Sequence, residues 1–404
     1  MRLGDLLQGS LRAKLALAAL SLLFFIITAA TFTSLGVILP AMVTELKWSW
    51  ADAGLGFTLL SVACGLASYA PTVAIRRFGV RSTLFAGAAV LTAGMVCLYI
   101  AQTVGIYLIG ATLAGVGFAL AATIPGTFVL ARSFERPATA FGVYFTIGGL
   151  GGAAGPLLAK LGVEHAWRDY WLAMAGAIIV LGALAAFSID PRLDEDARHA
   201  DAAPDPAPVS ARDWTVGEAL RTPQFWMIVA AYTAYLLLGV TVNYSSVAHL
   251  TEQGVAAGVA AAMLSLDNLL NALARSAGGV LSEWLQPKRL VVAALALMVI
   301  GTGALAVAHD LPMMLVYAVC VGVGYGLSYT ATALLLLNSF GRRRNLELFS
   351  IMCLISTVAA IGPVVGGATR DSLGSFGPSL WLFAGVAAVV MIAIALMRPP
   401  KHVG

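Results

Sequence analysis

Residues 82–131 read STLFAGAAVLTAGMVCLYIAQTVGIYLIGATLAGVGFALAATIPGTFVLA, 50 positions without one Asp, Glu, Lys or Arg. A helix that crosses a bilayer needs about 20 mainly apolar residues, so the run is too long for one crossing and long enough for two. They part at Gln102-Thr103-Val104-Gly105. The rest of the chain has the same character: 60% of its 404 residues are hydrophobic and 11% are charged, with a mean hydropathy of +0.89. Ordinary soluble domains carry about 25% charged residues, which excludes that class.

Extending this reading predicts twelve spans, at 15–43, 51–75, 82–101, 105–131, 138–160, 167–188, 223–249, 256–282, 290–308, 311–338, 346–369 and 377–397. The first is too long for a signal-peptide core and lacks a convincing cleavage site, so it is expected to stay in the mature protein. Lys and Arg accumulate in cytoplasmic loops. With twelve spans both termini share a side, and loops on that side hold 19 of the 24 basic residues, against four opposite. Both termini are therefore expected in the cytoplasm of a bacterial-type inner (plasma) membrane, with the lipid bilayer as the solvent of the folded chain. The net charge of +4 is this bias, and no basic cluster is large enough to suggest nucleic acid. Cys64, Cys97, Cys320 and Cys353 all fall in apolar spans and read as packing residues rather than disulfides or metal ligands.

The longest polar stretch, Asp190 to Arg221, contains PDPAP at 204–208 and separates six spans from six. Its end, WTVGEALRTPQF from Trp214, reads as an amphipathic helix at the membrane surface. This divides the chain into an N-terminal six-helix bundle, 1–189, a cytoplasmic linker with an interfacial helix, 190–221, and a C-terminal six-helix bundle, 222–404. The halves repeat each other. GVGFAL at 115–120 recurs as GVGYGL at 322–327, SFER at 133–136 as SFGR at 339–342, and Gly155-Pro156 as Gly362-Pro363. The expected fold class is an all-α polytopic membrane protein of two pseudo-symmetric bundles.

That organisation resembles the major facilitator superfamily over essentially the whole chain. The stretch from Leu39, LPAMVTELKWSWADAGLGFTLLSVACGLASYAPTVAIRRFGVRSTLFAG, is similar to the span-one to span-three region of monocarboxylate and oxalate/formate porters. VGEALRTPQFW and TEQGVAAGVAAAMLSLDNLLNALARSAGGVLSEWL are similar to their entry into span seven and to their span-seven to span-eight region. The resemblance implies a secondary transporter with a substrate site near the bilayer midplane. It also implies a cytoplasmic latch after span two, here Arg76, Arg77 and Arg81 with Glu283 as its counterpart in the second half. The usual Asp-Arg pair before Phe-Gly is replaced by Arg76-Arg77 before Phe78-Gly79, which alters the N-terminal latch. The span-one lysine of animal monocarboxylate carriers is absent between Leu15 and Thr44.

The chemistry gathers in span eight, where SLDNLLNALARSAGG at 265–279 sets Asp267, Asn271 and Arg275 at a stride of four along one helical face. A charge at this depth is costly unless it meets water or a partner. Arg also offers a rigid fork of donors matched to a carboxylate. Arg275 is expected to bind an anionic substrate, and the resemblance places the family's substrate arginine on Arg275 and its polar neighbour on Asn271. An internal ion pair of Arg275 with Asp267 or Glu283 is the competing reading. Residues 345–369 contain no Lys or Arg, where oxalate porters carry a second cation, so a monocarboxylate suits the site better than a dicarboxylate.

An anion entering a cell with a negative interior needs a driving ion, and proton symport makes the step electrically neutral. Asp267 and His249 are the candidates for coupling. Other substrate-cavity candidates are Asn243 and Tyr244 in span seven, Tyr329 in span ten, Thr31 in span one, Tyr144 in span five and Cys353 in span eleven. No HExxH, GxSxG or paired-histidine motif occurs, so an enzyme, a metal site and a cofactor are not expected. A channel would need polar filters repeated around a pore. The rivals within transport are an exporter of drugs or metabolites and an importer of a bulkier acid, such as a siderophore or aromatic acid. A monomer suffices for two halves that enclose a complete pathway.

Overall fold

The computed structural model describes residues 10–134, 137–193, 214–341, 344–398 and 400. Among these every regular element is helical, and twelve helices are long and apolar enough to cross a membrane. Spans one to six are Leu11–Leu46, Trp50–Phe78, Val80–Tyr99, Val104–Ser133, Thr139–Gly162 and Trp167–Ser188. Spans seven to twelve are Pro223–Glu252, Ala257–Arg275, Pro287–Ala306, Leu311–Phe340, Glu347–Leu373 and Gly377–Leu396. The helix of span eight continues to Trp284.

Polar residues at the span edges start these helices. Ser10, Ser49, Thr103, Thr222 and Asp310 each accept a backbone N–H of the first turn, which satisfies a donor that no carbonyl reaches. The predicted surface helix is short, Val216–Leu220, and is closed by a capping box of Thr215 and Glu218. Gly79, with φ of 91°, makes the tight turn between spans two and three that a side chain would strain.

The chain divides into two compact units, Met1–Ala203 and Pro204–Gly404. Inside each, close-packed spans meet through glycines. A Cβ on Gly115 of span four would stand 2.2 Å from the Leu60 carbonyl oxygen, and one on Gly322 of span ten 2.4 Å from that of Asp267. Gly117 meets Leu91 as Gly324 meets Met298, and Gly94 meets Ala114 as Gly301 meets Val321. Each residue of the second contact lies 207 positions after its counterpart in the first. The sequence repeat is therefore a repeat of backbone contacts, made where only a missing side chain lets two helices approach.

The units differ where the helices are interrupted. Span one contains a π-helical turn, Ala29–Thr33. Span two narrows to a 3₁₀ turn at Ala67–Tyr69, and span eleven does so at Thr357–Ala360. Span four breaks at Ala122 (φ −84°, ψ −104°), whereas span ten runs unbroken from Leu311 to Phe340.

Candidate substrate-binding site

The glycine contacts set the site. Gly326 of span ten lies against the backbone of Asn271 and Arg275, so the side chains that flank it on both helices are held close. Arg275 is exposed. Its Nε donates to Oδ1 of Asn271 at 3.0 Å, one turn back on the same helix. Its guanidinium carbon lies 4.9 Å from the Tyr329 ring centroid and 5.8 Å from that of Tyr325, within the range of cation–π attraction. Its carbonyl accepts from Thr330 Oγ1 at 3.2 Å, a further tie to span ten.

The ion pairs of the described residues include Glu45 with Arg168, Glu252 with Arg370 and Arg344 with Glu347, and Asp267 does not pair with Arg275. The side chain of Glu283 lies outside the described residues. The bond to Asn271 uses Nε and leaves the terminal nitrogens of the guanidinium as an oriented fork.

A wall of tyrosines extends from this fork. Tyr325 stands 5.3 Å from Tyr235, and Tyr235 5.0 Å from Tyr232. The Cys353 thiol donates to the Tyr232 hydroxyl at 3.6 Å. Cys353 is thus joined to Arg275 through three aromatic rings. A Cβ on Gly239 would stand 2.4 Å from the Tyr325 ring, so that glycine is what admits the ring against span seven. Asn243, one turn on, donates to the Gly239 carbonyl at 2.9 Å and accepts from Asn268 of span eight at 3.4 Å.

Sequence reasoning singled out GVGYGL as a repeat and did not place Tyr325 at the site. The available signal was the i, i+4 stride of Tyr325 and Tyr329, the same stride as Asn271 and Arg275. In the N-terminal unit, the positions 207 residues earlier are Cys64 for Asn271, Ser68 for Arg275, Phe118 for Tyr325 and Ala122 for Tyr329. The cation and its polar neighbour belong to one repeat alone.

Three predicted cavity residues occupy packed interiors instead. Tyr144 is 0% exposed, and its hydroxyl donates to the Ala122 carbonyl at 2.7 Å, the acceptor freed where span four breaks. Tyr244 is also 0% exposed and lies edge-on to Phe376, with centroids 6.0 Å apart. Thr31 is 1% exposed and donates back to the Ile27 carbonyl at 2.9 Å inside the π-helical turn.

Both coupling candidates are buried, Asp267 in span eight and His249 near the end of span seven. Of the latch residues, Arg76 and Arg77 are exposed, and Arg77 lies over the ring of Phe78. Arg81 donates through Nε to the Ala186 carbonyl at 3.0 Å, tying the start of span three to span six.

Twelve membrane-spanning helices in two compact units that repeat each other's glycine contacts have the organisation of a membrane transporter of the major facilitator fold. The chain belongs to the Major Facilitator Superfamily, whose family model matches residues 20–352, and it is a transporter, not an enzyme. Among characterised proteins it is similar to the oxalate:formate antiporter of Oxalobacter formigenes, with 26% identity over 271 residues. That alignment takes in 62% of this chain and 62% of the relative, so the chain spans less than two thirds of the relative's length. Among solved structures it is similar to the nucleoside transporter NupG, with a TM-score of 0.77 at 12% identity, covering 96% of this chain and 100% of that one. A bacterial homologue of the human lysosomal transporter Spinster, solved inward-facing and unoccupied, gives a TM-score of 0.69 at 16% identity, covering 96% and 95%. At such identities the likeness is one of fold.

Proposed function

We propose that this protein moves a small organic anion, a monocarboxylate, across the inner membrane by alternating access with proton symport, with both termini cytoplasmic and a monomer as the working unit. The observation that carries this reading is the guanidinium of Arg275, aimed by Asn271, backed by Tyr329 and Tyr325, and unpaired with any described carboxylate. A fixed cation with its terminal donors free is the complement of a carboxylate. The similarity to a protein named as an oxalate:formate antiporter supports an anionic substrate. The absence of Lys and Arg from residues 345–369 favours one carboxylate over two.

A second reading, an importer of a bulkier aromatic acid, draws on the row Tyr329, Tyr325, Tyr235 and Tyr232, a surface suited to a ring. Thermal unfolding of the purified protein with acetate, lactate, oxalate, benzoate and their neutral amides, at two pH values, separates these readings by mass action. Stabilisation by acetate or lactate that is greater at acid pH and absent in Arg275→Ala supports the monocarboxylate reading. Stabilisation by benzoate alone selects the aromatic one. An equal response from the variant, or a response to the amides only, overturns both.

A further inference from the structure

Inside the C-terminal unit, several ionisable and hydroxyl side chains lie buried without satisfied polar atoms. Ser246 Oγ, the Tyr317 hydroxyl and both ring nitrogens of His249 make no hydrogen bond of good geometry, though all three residues are 0% exposed. Asp267 is 3% exposed and joins none of the described ion pairs. Buried polar groups in native proteins are almost always paired, to protein or to water, because leaving them unpaired is costly. Three residues with such groups, beside a buried carboxyl outside every described ion pair, point to a shared polar purpose.

These residues are also neighbours. The Tyr317 hydroxyl lies toward Ser246 and within electrostatic reach of the Asp267 carboxyl. Ser246 and His249 are one turn apart on span seven, and the His249 ring looks toward the Leu305 and Ala306 carbonyls at the end of span nine.

Their depths form a series. Counting about 1.5 Å per residue from the helix ends remote from the linker, His249 lies about 4 Å in, Ser246 and Tyr317 about 9 Å, Asp267 about 15 Å and Arg275 about 27 Å. The chain of groups thus runs from one end of the unit toward the substrate arginine and stops about 12 Å short of it.

The other ionisable groups nearby are already engaged or point elsewhere. Glu252, one turn beyond His249, is bound by Arg370 of span eleven at 2.6 Å, and Asp371 is partnered as well. Asp310 caps span ten, and His309 bonds the Val307 carbonyl. Tyr325 lies within electrostatic reach of both Asp267 and Arg275. The ring of Phe376, the residue before span twelve, lies edge-on to His249.

We propose that His249, Ser246, Tyr317 and Asp267 form one buried proton path, with His249 as its entry from the end remote from the linker and Asp267 as the residue that carries the transported proton. This deepens the proton-symport reading and rests on it. A hydronium ion gives its proton to one ring nitrogen of His249 and becomes water, and the other nitrogen releases its proton inward. The hydroxyls of Ser246 and Tyr317, with bridging water, accept and donate in turn until an O–H bond forms on Asp267. Release returns that proton to water on the other side. The path is separate from Arg275, so proton and anion occupy different groups of the same unit.

The primary test needs no substrate. Infrared difference spectra of the full-length protein in detergent, recorded through a pH titration, are expected to show the carbonyl stretch of a protonated carboxylic acid that shifts in D₂O and is lost in Asp267→Asn. Should the asparagine variant fail to fold, Asp267→Glu is expected to move that band and its midpoint. In liposomes loaded by a pH gradient, accumulation of labelled acetate is expected to fall at least tenfold in Asp267→Asn. His249→Gln and Tyr317→Phe are expected to shift its dependence on external pH. A titrating band that survives in Asp267→Asn, or accumulation driven by a sodium gradient and indifferent to pH, overturns the path. The band present with no carboxylate binding sinks the substrate reading alone, and carboxylate binding with no such band sinks the path alone.

Discussion

The Nε of Arg275 donates to Oδ1 of Asn271 at 3.0 Å, so one donor of the guanidinium aims the others. Lysine has no Nε–H that could make this bond while its head group reaches the same place. Arg275→Lys is therefore expected to weaken carboxylate binding tenfold or more despite the retained charge, and Arg275→Ala to abolish it. Asn271→Ala, which loses the aim and keeps the fork, is expected to cost a smaller factor. Titration calorimetry on the three variants orders them, and equal affinity of the lysine variant and wild type would show that charge alone acts here.

Tyr329 backs the guanidinium at 4.9 Å. Because the ring face supplies the attraction, Tyr329→Phe is expected to leave carboxylate affinity within about twofold. Tyr329→Ala is expected to lower it by roughly two- to fivefold, the size of a partly exposed cation–π contact of about 0.5–1 kcal/mol. A loss in the phenylalanine variant equal to that in alanine would assign the effect to the hydroxyl.

Gly322 sits where a Cβ would stand 2.4 Å from the Asp267 carbonyl oxygen. Gly322→Ala must push spans eight and ten apart, an overpacking expected to cost about 1–3 kcal/mol. Gly176 and Gly385 have open space at the same test, so alanine there is expected to be neutral or mildly stabilising. Thermal unfolding of the three variants provides the comparison, and a Gly322→Ala protein as stable as wild type would refute close packing at that crossing.

Tyr144 donates to the Ala122 carbonyl at 2.7 Å, satisfying an acceptor that the broken helix leaves without its usual donor. Tyr144→Phe is expected to lower stability by about 1–2 kcal/mol through that unsatisfied group and to leave substrate affinity unchanged. A change in affinity with no change in melting temperature would return Tyr144 to the substrate site.

Much of this was readable in one dimension because the bilayer imposes a simple rule: a backbone in hydrocarbon must bond within its own helix, so length and hydropathy reveal the spans. The 82–131 run resolves into spans three and four close to the predicted break, and GVGFAL with GVGYGL marks two copies of one glycine contact. The stride of Asn271 and Arg275 was legible for the same reason, since residues of one helix keep a known relation.

Side chains that act between helices were not legible. Tyr325 read as part of a packing motif, and its place over Arg275 depends on Gly239 and Gly326 admitting it. Tyr144 read as a cavity residue, although its partner is the carbonyl of a helix break 22 residues away that no local pattern announces. Ser246 and Tyr317 carried no signal at all, because a lone hydroxyl in an apolar span looks the same whether or not it is satisfied.

The sequence by itself determined twelve membrane helices, their duplication into two halves and the presence of one costly cation in span eight, because hydropathy, repetition and helical stride are properties of the chain. Only the tertiary structure decided what surrounds that cation, which tyrosines back it, and which polar groups are buried without partners. Those depend on how closely neighbouring helices approach and at what rotation, and both are set by packing between residues far apart in the chain.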